Sequence, residues 1–309
     1  MGLLVDGEWV DQWYDTSKSG GSFERPDAVF RHWIKEGGEF PPEAGRYHLY
    51  VSLACPWAHR TLIFRQLKAL TSLIDVTVVH PDMLENGWEF AGEPEPLYGF
   101  QYAYQLYTKA NPYYTGRVTV PILWDKKKQT IVSNESADII RMMNTAFVNL
   151  APKTKDYYPL ALQGEIDGIN DYVYEFINNG VYRCGFATTQ QAYELAYDDL
   201  FAALDKLELR LTERDYLLGS EITEADWRLF TTLIRFDAVY YAHFKCNKKR
   251  IADYPQLSRF VADLYGQPGI ASTVNIEQIK RHYYFSQTSI NPTQIVPKGL
   301  PAMFVSNLS

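Results

Sequence analysis

Hydrophobic spacing divides the chain into two kinds of sequence. From about residue 46 to 145 the apolar residues come in short runs that switch period. Leu49, Val51 and Leu53 alternate as in a strand, and Ile63, Leu67 and Leu70 then follow a helical repeat. Asp75–His80 reads as a second strand, followed by a long aromatic insertion from Pro81 to Gly116. Val118–Trp124 predicts a third strand, Asp125–Lys128 a charged turn and Thr130–Val132 a fourth strand. A helix opens at Ser133-Asn134-Glu135-Ser136. The order begins with a βαβ unit and ends with a ββα unit, which predicts an α/β arrangement around one small sheet. From about 161 to 290 every strong period is helical. Ile166, Ile169, Val173, Phe176 and Ile177 share one face, Leu200, Leu204, Leu207 and Leu211 another, and Leu229, Leu233, Phe236 and Tyr240 a third. Thr223-Glu224-Ala225-Asp226 has the form of a capping box, with Asp in the usual Glu/Gln place. This half is predicted to be all-α. A polar, Gly- and Pro-rich leader (1–45), a linker (146–160) and a Pro/Gly-rich tail (291–309) complete the organisation, and the leader and tail are expected to run over the surface.

Composition narrows the function classes. The 309 residues are 46% hydrophobic, enough for a sizeable core in two domains, and carry a net charge of −7, which argues against nucleic acid as a partner. Asp6, Glu8, Asp11 and Asp15 interrupt the start, so no signal-peptide core is expected there, and no apolar run is long enough to span a membrane. Three cysteines predict a reducing, cytoplasmic setting without a disulfide framework. The 23 tyrosines and 7 tryptophans suit a site for planar ligands, although core packing uses aromatics too.

Cys55 is the leading candidate for chemistry. It stands between a strand and a helix whose first residue is Pro56, where a missing N–H costs nothing. Free N–H groups and the macrodipole at that end favour negative charge, so the thiol should ionise readily, and the thiolate is the nucleophile. The next residues are Pro56-Trp57-Ala58, so no second cysteine occupies the CxxC position, and a mixed disulfide on Cys55 has to be resolved by an external thiol. An inert cysteine at a strand–helix junction is the competing reading. His243 and Cys246 have ligand-like spacing, but two donors make no zinc site, and no metal is expected. No phosphate-binding glycine loop and no GxSxG elbow occur.

The Cys-Pro helix start, Val-Pro before a strand, Glu-Ser at a later helix start and a helical second half resemble the glutathione transferase superfamily. Cys55-Pro56-Trp57-Ala58, Asn86-Gly87-Trp88, Arg117-Val118-Thr119-Val120-Pro121 and Asp237-Ala238-Val239-Tyr240-Tyr241-Ala242-His243-Phe244-Lys245-Cys246-Asn247 are similar to the glutathionyl-hydroquinone reductases, the Xi class. Arg281-His282-Tyr283-Tyr284 with Asn291-Pro292 fits the same family. The resemblance implies a thioredoxin-like N-terminal domain, an all-α C-terminal domain, a homodimer and glutathione as co-substrate. It implies removal of glutathione from a glutathionyl-hydroquinone by a second glutathione, through a mixed disulfide on Cys55, releasing hydroquinone and glutathione disulfide.

Residue by residue, the resemblance implies that Trp88, Arg117, Val118, Thr119, Val120, Glu135 and Ser136 hold glutathione. It implies that Tyr182 is the proton donor, and that Tyr240 and Tyr283 hydrogen-bond near the thiolate. In the superfamily the bond before the strand proline is typically cis and leaves the preceding backbone to pair with glutathione as an added strand would. The helix start suits the γ-glutamyl group, Ser136 with the free N–H groups for the carboxylate and Glu135 for the ammonium. Each position has a plainer alternative: an edge-strand proline at Pro121, a helix cap at Glu135-Ser136, a surface Arg117, a Trp88 that pins the insertion to the sheet, and core tyrosines. Reduction of dehydroascorbate or protein mixed disulfides, and a non-enzymatic scaffold or redox sensor, are the rival functions.

Overall fold

The computed structural model describes residues 2–92 and 94–299, so residues 300–309 of the expected tail lie outside the described part. The chain resolves into two compact units. One comprises the residues up to Trp13, Pro26–Lys155 and Thr273–His282. The other comprises Tyr14–Arg25, Asp156–Ser272 and the described residues from Tyr283.

The elements of the first unit run β1 (Leu3–Val5), β2 (Glu8–Val10), β3 (Tyr47–Val51), α1 (Pro56–Leu67), β4 (Ile74–Val78), α2 (Tyr104–Ala110), β5 (Gly116–Arg117), β6 (Ile122–Asp125), β7 (Thr130–Ser133) and α3 (Ser136–Thr145). Four strands form the mixed sheet β4-β3-β6-β7. β3 and β4 are parallel, while β3–β6 and β6–β7 are antiparallel. All five residues of β3 are buried, because a central strand covered on both faces has no solvent side to alternate with. Asp125, wholly buried, holds the β6–β7 turn. Its Oδ1 accepts from the N–H groups of Lys127 (2.8 Å) and Lys128 (3.1 Å), while Arg46 Nε donates to its Oδ2 at 2.9 Å.

Two segments depart from the expected pattern. The run 118–124 is not one strand: it is interrupted between β5 and β6 by a cis Val120–Pro121 bond, and the β3–β6 register ends at Tyr50↔Ile122. Proline has no N–H for the ladder, so the strand resumes only after it. The aromatic insertion contains α2, whose N-cap position is Ala103 with no side-chain cap, so no start signal marked it.

Most of the leader is built into this unit, all but Tyr14–Arg25. β1 and β2 form a hairpin turned by Asp6 and Gly7 at φ of 49° and 84°, and β1 also pairs with β5. Farther on, the His32 N–H donates to Val132 O (2.9 Å) and Arg31 bridges to Ser133, which covers part of the β7 edge. Arg31 also grips Asp138 in the first turn of α3 with two bonds of 2.6 and 2.7 Å.

The second unit is helical: α4 (Gln163–Val173), a π-helical turn (Tyr174–Asn178), α5 (Gly180–Gly185), α6 (Gln190–Arg210), α7 (Glu224–Arg235), a second π-helical turn (Phe236–Tyr240) and α8 (Pro255–Tyr265). A last helix, α9 (Ile276–Ser286), contributes Tyr283 to this unit. Leu200, Leu204, Leu207 and Leu211 are all buried, as are Leu229, Leu233, Phe236 and Tyr240, each worth about 2 kcal/mol of transfer free energy. The capping box forms as expected. Thr223 and Asp226 bond each other's backbone, and Asp226 Oδ1 also accepts from the Leu217 N–H at 2.8 Å. Ile169 and Phe176 are only half-buried; Phe176 lies within the π turn after α4, which shifts the face that the sequence period assumes.

Candidate active site

Cys55 is the N-cap of α1, with extended backbone angles, and Pro56 follows as the first helical residue. Cys55 is half-buried, and its sulfur lies 3.5 Å from the Ala58 N and 3.5 Å from the Val120 O. The two contacts act in opposite senses. The Ala58 N–H donates to sulfur and favours the thiolate, whereas the Val120 carbonyl accepts from the S–H and favours the thiol. The only other cysteines, Cys184 and Cys246, are buried free thiols in the other unit, and Cys246 is pushed well up by burial.

Arg117 and Val120 flank a segment pinned from behind. Arg117 Nη1 donates to the Gln12 carbonyl of the leader. Val118 is buried and Thr119 half-buried. The phenol of Tyr107, wholly buried, donates to Thr119 O at 2.9 Å. It accepts from the Thr119 N–H at 3.2 Å and from Asn134 Nδ2 at 3.1 Å. Sequence reasoning did not single out Tyr107. Its neighbours in sequence carry no motif that sets it apart among 23 tyrosines; the one local sign is its partner Asn134, directly before Glu135.

Glu135 and Ser136 open α3. Glu135 is the N-cap and accepts from the Ala137 N–H at 2.9 Å. The Ser136 hydroxyl donates to Glu135 Oε1 (3.4 Å) and accepts from Arg60 Nη1 (3.3 Å). Arg60, buried and stacked over the Trp57 ring at 4.5 Å, thus links the helix that bears Cys55 to the start of α3, a tie the sequence did not announce. Trp88 is buried and stacks on His282 with ring centres 4.9 Å apart, while His282 Nδ1 bonds to Pro81 O at 2.8 Å.

In the helical unit three tyrosines meet through their hydroxyls. Tyr283 is central, 2.6 Å from Tyr182 and 3.0 Å from Tyr240. Burial pushes the phenols of Tyr240 and Tyr283 well above 10, so both remain protonated hydrogen-bond donors at neutral pH. Tyr182 is 8% exposed, against 2% for Tyr283 and 0% for Tyr240, and the Arg25 guanidinium lies 4.8 Å from its ring centre. His243 is occupied by Gln287, with Nε2 to Oε1 at 2.9 Å.

Known proteins share both halves of this arrangement. The family described as "Glutathione S-transferase, N-terminal domain" matches residues 54–146, and "Glutathione S-transferase, C-terminal domain" matches 190–263. The glutathionyl-hydroquinone reductase YqjG of Escherichia coli K12 is 54% identical over 97% of this chain and 95% of its own. The glutathionyl-hydroquinone reductase PcpF of Sphingobium chlorophenolicum is 55% identical over 97% and 96%. The chain belongs to the glutathionyl-hydroquinone reductase family. Among solved members of that fold, the glutathione transferase Xi of Phanerochaete chrysosporium superposes with a TM-score of 0.88, at 54% identity, over 90% of this chain and 97% of that one. The glutathione-bound structure of YqjG gives 0.89 over 99% and 100%, with 49% identity in the superposition. The family's fold is therefore the one seen here: a thioredoxin-like α/β domain followed by an all-α domain.

Proposed function

We propose that this chain reduces glutathionyl-hydroquinones to hydroquinones with glutathione, by way of a mixed disulfide on Cys55. The observation that carries the reading is a half-buried cysteine at a helix N-cap, its sulfur receiving a backbone N–H, with no second cysteine one turn on. The Cys55 thiolate attacks the glutathionyl sulfur of the conjugate. The C–S bond breaks, its electron pair passes to the ring carbon, and that carbon takes a proton to complete the hydroquinone. A second glutathione thiolate then attacks the mixed disulfide, releasing glutathione disulfide and the Cys55 thiolate. Atoms balance as one conjugate plus one glutathione giving one hydroquinone plus one disulfide.

We assign the proton to Tyr182 on the family resemblance. The Tyr283 hydroxyl bonds those of both Tyr182 and Tyr240, and Tyr182 is the most exposed of the three residues, which suits it to meet a substrate. Tyr240 and Tyr283 are assigned, on the same resemblance, to hydrogen-bond near the thiolate and keep its pKa low. Trp88, Arg117, Val118, Thr119, Val120, Glu135 and Ser136 are assigned to glutathione. Val120 lies beyond the β3–β6 ladder, which suits pairing with a peptide-like ligand, and Glu135 with Ser136 opens a helix. The protein is assigned to the cytoplasm, where glutathione keeps thiols such as its three cysteines reduced, and to a homodimer by family resemblance. No helix among the described residues is long and apolar enough to cross a membrane.

The test is turnover of a glutathionyl-hydroquinone with glutathione. Cys55→Ala and Cys55→Ser should each lower kcat by at least about a thousandfold. Thiolate absorbance at 240 nm should place the Cys55 midpoint well below about 8.5. A Cys55→Ala enzyme with most of its activity would refute the mechanism.

A further inference from the structure

We infer that Tyr107 is a positioning residue for glutathione: its buried phenol fixes the Thr119–Val120 peptide so that the Val120 N–H faces the ligand. The inference rests on the reading that the 117–120 segment holds glutathione.

The phenol oxygen is fully engaged by one short stretch of chain and one side chain. It donates to Thr119 O at 2.9 Å, accepts from the Thr119 N–H at 3.2 Å and accepts from Asn134 Nδ2 at 3.1 Å. A phenol has one proton to give and two lone pairs to receive, so this is its whole capacity. Burial also raises its pKa, which keeps the proton on the oxygen. Both backbone polar groups of Thr119 are thus drawn to the interior side by a single atom.

The consequence passes through the geometry of the peptide unit. Thr119 C=O and Val120 N–H belong to one planar trans peptide, in which the two groups point in opposite directions. Holding the carbonyl on Tyr107 therefore aims the Val120 N–H away from the core. The carbonyl of the same Val120 lies 3.5 Å from Cys55 sulfur, so this backbone runs directly beside the candidate nucleophile. A main-chain donor presented at that point is what an extended peptide needs to pair as an added strand.

The clamp is itself braced by the leader. Asn134 exchanges two bonds with Phe30: its N–H donates to Phe30 O (3.1 Å), and its Oδ1 accepts from the Phe30 N–H (3.2 Å). The Phe30 ring packs edge-on against Tyr107 at 5.9 Å and stacks on Tyr114 at 5.6 Å. Asn134 immediately precedes Glu135, and its Nδ2 also lies 3.5 Å from the Thr119 hydroxyl, so one residue joins the start of α3 to the segment assigned to glutathione. This gives the 26–34 part of the leader a purpose in the site that its composition did not reveal.

The experiment uses the full-length enzyme and glutathione itself. Tyr107→Phe keeps the ring and deletes the oxygen. Its KM for glutathione should rise about tenfold, with kcat at saturation within twofold of wild type. Dissociation constants measured by calorimetry in a Cys55→Ser background should move in parallel. Hydrogen–deuterium exchange over 117–122 should show protection by glutathione in wild type and weaker protection in the variant. If the variant fails to fold, Asn134→Ser, which removes one donor to the phenol, carries the same comparison with a smaller expected rise. An unchanged KM in a folded variant, or a fall in kcat with KM unchanged, would overturn the positioning role while leaving the site assignment intact. Absence of glutathione protection over 117–122 in wild type would instead defeat the assignment on which the inference rests.

Discussion

The proposed chemistry rests on single atoms. Cys55 sulfur lies between a donor that favours its charge and an acceptor that opposes it. The tyrosines show the same economy. Tyr283→Phe removes the one hydroxyl that bonds both of its neighbours, leaving Tyr182 and Tyr240 each without that partner. It should lower kcat for a glutathionyl-hydroquinone about tenfold or more, while costing about 1–2 kcal/mol of stability in urea unfolding. Tyr182→Phe should lower kcat further, by about a hundredfold. Equal kcat in wild type and both variants would remove the phenols from the mechanism.

At the scale of elements, the features legible in sequence were those with a local signature. The Cys-Pro helix start of α1, the Glu135-Ser136 opening of α3 and the Thr223–Asp226 box of α7 each announce themselves within four residues. The burial of Leu200 through Leu211 follows from period alone. What sequence did not reveal depends on partners far along the chain. The Tyr107 clamp joins residues 107, 119 and 134, and the pairing of β1 with β5 joins Leu3 to Arg117. The π-helical turns after α4 and α7 are likewise invisible to a fixed period of 3.6. Asp226 tests the local kind. It bonds the N–H groups of Thr223 and Leu217 and the Thr223 hydroxyl, all buried, so Asp226→Ala removes a cap and strands a buried donor. Denaturant unfolding should show a loss of about 3 kcal/mol. A loss under about 1 kcal/mol would mean that the box contributes little.

For the whole molecule, acid should be the weakness. Burial depresses both His48 and His243 to about 4 from an ordinary 6.5. Each therefore stabilises the fold fully above about 6.5, and that stability is lost as pH falls toward 4. Asp226 opposes them. Burial raises its carboxyl to about 6, so its contribution grows as pH falls from about 6 toward its unfolded value. Together the three groups predict a stability about 2–3 kcal/mol lower at pH 5 than at pH 7.5. Urea titrations at the two pH values check this, and equal midpoints would contradict it.

Position 58 is alanine, and it offers the neighbouring sulfur only a main-chain N–H. Once Cys55 is joined to another sulfur, nothing within its own turn can displace that group, and the two remaining thiols are buried. Regeneration must come from solution, so the lifetime of the blocked protein becomes a gauge of how much small thiol surrounds it.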